Sequence, residues 1–270
     1  MNIENLKMIK PRRCNGFSLV SLMIAIVIGL FIIGAAGQVY VQSKSSFNAR
    51  AAVSAVSENG RFAIQDIRRV LAMAGMNITA SEDVSTIKRA IPPRDTDTTG
   101  TNTYEGSATD SDIVAVRYRR GPTCYGYIDK LLDEDPVTIR FLVENDQLMC
   151  EKIETAGGTV TRNKQPLVSG VKLMKGLYGV DDTTDGYANR YLTAKQVELE
   201  SKWRNIVSMR VGVVVDSAEQ SQPVDMRSGT AQTLSLLGMD YTVPANDEKL
   251  YKVFTTTVQL RNLNPVMQKQ

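Results

Sequence analysis

Residues 12–41 read RRCNGFSLVSLMIAIVIGLFIIGAAGQVYV, and everything else in the chain is interpreted from this stretch. No charged residue occurs between Phe17 and Ser43; the next is Lys44. A helix that crosses the hydrocarbon core needs about 20 apolar residues, and this run is long enough. Lys7, Lys10, Arg12 and Arg13 precede it, so the positive-inside bias keeps residues 1–16 in the cytoplasm and sends the body across the inner membrane. Three readings fit. A secretory signal would be cut after the apolar run, where Ala35-Ala36-Gly37 offers small residues. A signal anchor would stay uncut. A third class of signal is cut before the run, at Gly16, and keeps the apolar helix in the mature protein.

Charge and composition narrow the function. The chain has 270 residues, with 32 Lys and Arg against 29 Asp and Glu. The formal net charge of +3 equals that of the first sixteen residues, so the body is neutral. A neutral body gives no electrostatic reason for a nucleic-acid partner. There is no histidine, which removes the commonest general base and transition-metal ligand. No phosphate-binding loop, dinucleotide fingerprint, zinc-ligand cluster or serine elbow is present, and no cofactor is expected. Of three cysteines, Cys14 lies in the basic leader, while Cys124 and Cys150 lie in the body. The body pair fits one disulfide if the body is outside the cytoplasm, and a pair of buried thiols otherwise.

The apolar run continues as an amphipathic one. Ala52, Val56, Ala63, Ile67, Val70, Leu71 and Ala74 recur at helical spacing, with Arg50, Glu58, Arg61, Asp66 and Arg68 mostly off that stripe. The pattern predicts one helix from Phe17 to the glycine stop at Gly75, about 88 Å long at 1.5 Å per residue. Its first half is apolar all round and its second half packs on a head.

Residues 81–111 are rich in Thr, Asp, Ser and Gly and read as a long exposed loop. Asp95, Asp97, Glu105, Asp110 and Asp112 could hold calcium but lack the calcium-loop spacing and read first as solvated charge, and the acidic turn Asp181, Asp182, Asp185, Gly186 is a second, weak calcium candidate. Strands are predicted at DIVAVRYRR, at a hairpin turning on Glu144-Asn145-Asp146, and at PLVSGVKLMKGLYGVD, broken by Gly170 and Gly176. Further strands are predicted at Ile206–Val215 and Tyr251–Arg261, with an extended loop between them. Trp203 reads as a core anchor. The fold class is α+β: a long N-terminal helix on an antiparallel sheet.

NGFSLVSLMIAIVIGLFIIGA resembles the prepilin signal, usually a glycine followed by Phe-Thr-Leu-Ile-Glu-Leu-Met or a near variant. SENGRFAIQDIRRVLAMAGM resembles the corresponding stretch of the PilW-type minor pilins of type IV pili. Glu58, Asn59, Gly60, Arg61, Phe62, Ala63, Met73, Ala74 and Gly75 match, whereas Ala72 and Met76 depart from the usual arginine and aromatic. A Tyr, short helix, Trp and strand in the late middle, and VFTTTVQLRN near the end, resemble the same family.

The resemblance implies a type IV pilin-like fold: a cleaved leader (1–16), a membrane and filament-core half-helix (17–44), an amphipathic half (45–76) and a head (77–270). It implies cutting at Gly16 and N-methylation of Phe17 by the prepilin peptidase and methyltransferase, leaving 254 of 270 residues. The family's glutamate at the fifth mature position is Ser21 here, which cannot neutralise a neighbour's terminal amine. The plainer reading is drift in a low-copy subunit whose neighbours supply the registration; the sharper one is that a subunit with no neighbour above it has no amine to pair, so loss of that carboxylate fits a place at the tip. The implied role is structural, not enzymatic. The chain would prime pilus assembly with other minor pilins and the major pilin, sit near a tip adhesin, and support adhesion and twitching motility. It would pass from the inner membrane, head in the periplasm, to the cell-surface pilus. The J-type pseudopilin of type II secretion shares this plan and stays open, as does a binding protein on an uncut anchor.

Overall fold

The computed structural model describes residues 18–78, 90–96, 99–126, 136–156, 159–218 and 228–263. The chain divides into two units, residues 1–47 and 48–270. One helix, α1 (Leu19–Leu71), supplies the described part of the first unit and enters the second.

In the second unit α1 buries Ala52, Val56, Gly60, Ala63, Ile67, Val70 and Leu71, the stripe its periodicity predicts. The helix ends at Leu71, short of the expected stop at Gly75. The chain tightens there: the Met73 and Ala74 amides donate to Val70 and Leu71, three residues back. Gly75 (φ +77°) then turns the chain, and its amide donates to the Arg117 carbonyl at 2.9 Å.

Two antiparallel sheets form the body. The first has the order β1-β2-β3-β4, from β1 (Val114–Tyr118), β2 (Val137–Glu144), β3 (Gln147–Ala156) and β4 (Thr159–Ser169). The β2–β3 hairpin turns on Asn145 and Asp146, both at positive φ, as its sequence predicts. Gly170 (φ +77°) ends β4 and starts the second sheet. That sheet has the order β10-β7-β5-β6, from β5 (Val171–Val180), β6 (Arg190–Leu192), β7 (Ile206–Asp216) and β10 (Tyr251–Gln259). Gly176 remains inside β5 rather than breaking it.

Helix α2 (Ala194–Leu199) follows β6 and is capped by Thr193 and Gln196 in a capping box. Trp203 is buried and meets the Tyr178 ring edge-on at 5.3 Å. The apolar core joins α1, from Ala63 to Leu71, to inward residues of both sheets.

Two expectations are corrected. The stretch between β7 and β10 is not all loop: β8 (Gln232–Leu236) and β9 (Met239–Val243) form a hairpin on Leu237-Gly238, both at positive φ. Leu236 packs with Leu173 and Val214 on the sheet face away from the main core. A Cβ on Gly212 would stand 2.5 Å from Leu236, so glycine there lets the hairpin lie close. Nor is the described part of 81–111 simply exposed. Ala90, Ile91 and Thr103 are buried, and Asp95 accepts from Asn102 at 2.9 Å.

Candidate functional site

The candidate site is the charge-free part of α1, because it leaves a large apolar surface uncovered. Leu19 is 73% exposed, Phe31 82% and Ile33 70%, and Leu22, Met23, Ile24, Ile26, Val27, Ile28 and Leu30 are exposed with them. A large apolar side chain gains roughly 1.5–3 kcal/mol on full burial. An exposed apolar surface of this size marks a membrane or protein-interaction segment. By length and composition α1 can cross a membrane. Ser21 lies on this exposed helix, with Val20 and Leu22 beside it. Gly16 and Phe17 lie outside the described residues, as does Cys14.

In the head, the second half of α1 is fastened at several points. Gly60 gives Phe254 of β10 room, for a Cβ there would overlap the ring. The Asn262 amide donates to the carbonyls of Ala72 (3.3 Å) and Ala74 (3.1 Å). Arg69 donates to the carbonyls of Thr123 (3.3 Å) and Cys124 (3.1 Å). Cys124 and Cys150 are joined in a disulfide, with Cα atoms 6.4 Å apart. The Tyr125 hydroxyl lies 2.7 Å from the Cys150 carbonyl. The result is a short relay: α1 holds the Cys124 loop, and the disulfide ties that loop to β3.

Two of the acidic residues, Asp112 and Asp181, are buried and structural, which corrects the sequence reading for them, whereas Asp110, Asp182 and Asp185 are exposed. Asp112 is buried and pairs with fully buried Lys175 at 3.0 Å. Burial raises its carboxyl above the ordinary 3.8, against the opposing pull of Lys175 and the amides of Gly176 and Gly106. Asp181 is also buried; burial alone would raise its carboxyl. The amides of Thr183 (3.0 Å), Thr184 (2.6 Å) and Gly186 (2.7 Å) outweigh that and hold it below 3.8. Asp182 is lowered by hydrogen bonds from Arg190 and Lys202, and Glu200 by its bond from Arg190. The Glu105 carboxylate accepts from the Lys195 amide. Asp97 lies outside the described residues. Among the described residues no three of these carboxylates come together as a metal-holding group.

Sequence reasoning missed the partners more than the places. A lysine amid the apolar run of β5 was the available sign of the Asp112–Lys175 pair. Nothing local signals that Arg69 and Asn262 meet distant carbonyls. Nor does anything local signal that Arg140 and Arg162 sandwich Glu151, at 3.2 and 3.4 Å, while Arg162 holds the Thr99 carbonyl at 2.7 Å.

Comparison with known proteins gives two matches in separate regions. The family described as Type IV Pilus-assembly protein W matches residues 134–262. The prokaryotic N-terminal methylation motif matches residues 11–37. No curated protein matches the chain. Among solved structures, a type IV-like pilin from Thermus thermophilus is similar at 14% identity and a TM-score of 0.45, covering 78% of this chain and 97% of its own. The motif at the apolar helix and the match from β2 to β10 agree with the fold, a long helix packed on antiparallel sheets: over residues 134–262 the chain is similar to the PilW-type proteins of type IV pilus assembly, and at residues 11–37 it carries the prepilin-type methylation motif.

Proposed function

We propose that the chain is a minor pilin that primes pilus assembly, stands at or near the tip, and supports adhesion and twitching motility. The observation that carries the reading is the uncovered apolar surface from Leu19 to Val41 on a helix continuous with a packed head. Such a helix is stable in lipid and equally stable against other apolar helices, so one segment serves as anchor and then as filament core. The prepilin peptidase and N-methyltransferase cut after Gly16 and methylate Phe17. Residues 17–44 act as the membrane and core segment, 45–76 as the joint, and 77–270 as the head.

The head lies in the periplasm before assembly, on the side opposite the basic leader. That compartment permits the Cys124–Cys150 bond. Other minor pilins and the major pilin are the partners along the helix, with a tip adhesin beyond.

Ser21 supports the tip position. A carboxylate buried without a cation is costly, and a subunit with nothing above it escapes that cost by carrying a hydroxyl. The test is deletion of the gene with a count of surface pili, and complementation by Ser21→Glu. Pilus number should collapse on deletion and stay low with Ser21→Glu. Full piliation after deletion would remove the priming role, and full complementation by Ser21→Glu would remove the tip argument.

A further inference from the structure

The first sheet has one edge that the fold does not account for. β4 runs eleven residues at the end of the order β1-β2-β3-β4, and Thr159 to Pro166 are exposed on both faces. Among the described residues its sheet neighbour is β3 alone. The opposite edge is partly covered: the Arg117 amide of β1 donates to the Ala90 carbonyl (2.8 Å), and just past the strand the Arg119 amide donates to the Met76 carbonyl (2.9 Å).

An exposed strand edge is a template for another strand, and proteins normally guard it with free charges or proline. Here the guards are tethered rather than free. Arg162 is drawn back across the sheet to Glu151 (3.4 Å) and the Thr99 carbonyl (2.7 Å), and Lys164 to Glu144 (2.6 Å). Pro166 limits the open edge to Thr159–Gln165, a run of Thr, Val, Thr, Arg, Asn, Lys and Gln.

We propose that this edge accepts an added antiparallel strand from the head of a different pilin-type subunit in the tip complex. The inference rests on the assembly reading above. A second copy of the chain is the weaker occupant, because the antiparallel register that uses the whole open edge is the one centred on Arg162. Antiparallel self-pairing centred on Arg162 sets Arg162 against itself, centring on Asn163 sets Arg162 against Lys164, and in-register parallel pairing stacks both. Arg162 and Lys164 each remain about a third exposed, at 36% and 37%, so an incoming strand with acidic or hydroxyl side chains at the facing positions is favoured. Main-chain bonds supply affinity and the alternate side chains supply choice of partner.

The test compares the full chain purified in detergent alone with the chain recovered from its own cells together with co-purifying pilin-type subunits. In the complex, alternate amides across Thr159–Gln165 should exchange at least about ten-fold more slowly, the period-two signature of strand addition. Thr161→Asp restores a charge at the exposed edge and should cut the yield of co-purifying subunits about ten-fold while leaving the lone chain folded. Unchanged exchange in an intact complex, or unchanged yield with Thr161→Asp, overturns this inference alone. Protection that grows with concentration of the chain alone assigns the edge to a second copy and overturns it too. Failure to recover any pilin-type subunit overturns both this inference and the assembly reading.

Discussion

Gly60 sits where two demands conflict, since a helix interior disfavours glycine by about 0.5–1 kcal/mol relative to alanine. The Phe254 ring occupies the space its side chain would take, so the cost is offset by packing of α1 against β10. Gly60→Val is expected to destabilise the head by about 1–3 kcal/mol in denaturant unfolding, with part recovered by adding Phe254→Leu. The Cys124–Cys150 bond spans 26 residues, which on the chain-entropy estimate contributes about 3.5 kcal/mol. Cys150→Ser should lower stability by about 2–4 kcal/mol, and reductant should do the same to the parent protein but not to the variant. The acid response follows from depressed carboxyls. Asp181 and Asp182 lie below 3.8 in the folded head and Glu200 below 4.5, so the stability they add is present above those values. It is lost as pH falls through the lower folded values. Asp112 has the opposite sign: its raised carboxyl subtracts stability as pH rises above 3.8 toward its folded value. Unfolding measured at pH 7 and below 4 should show a smaller loss for Asp181→Asn than for the parent chain.

At the scale of elements, legibility followed periodicity. The buried stripe of α1, the β2–β3 hairpin, β7 and β10 each carry an alternation or a helical spacing strong enough to read alone. The β8–β9 hairpin was illegible because its strands have five residues each and its outer side chains are mostly exposed, which weakens alternation. The signal it did carry was Leu237-Gly238, a dipeptide at positive φ. β4 was read only from Pro166 onward for a related reason: its first eight residues meet no core, so no apolar pattern marks them. The loop before β1 was misread because its fixings are polar and distant, such as Asp112 to Lys175. Composition reports polarity, and cannot say whether a polar group faces water or a partner. The hairpin is held chiefly through Leu236, which is fully buried. Leu236→Ala is expected to cost about 2–4 kcal/mol. Amide exchange should show residues 232–243 opening before the main sheet does.

The whole molecule combines a helix whose first half leaves its apolar side chains exposed with a head built around one apolar core. The apolar half of the candidate site was fully legible, because length, missing charge and one-sided basic flanking are properties of sequence. The fastening of the second half of α1 within the head was not, because Arg69, Asn262 and the Cys124–Cys150 relay join positions far apart in the chain. The central claim is that the greasy helix survives processing. The direct test is the intact mass and N-terminal sequence of the protein recovered from the cell envelope and from sheared surface filaments. The account predicts a chain of 254 residues beginning with N-methylated Phe17 in both fractions. A recovered chain that begins beyond Gly37, or one that still begins at Met1, would contradict it.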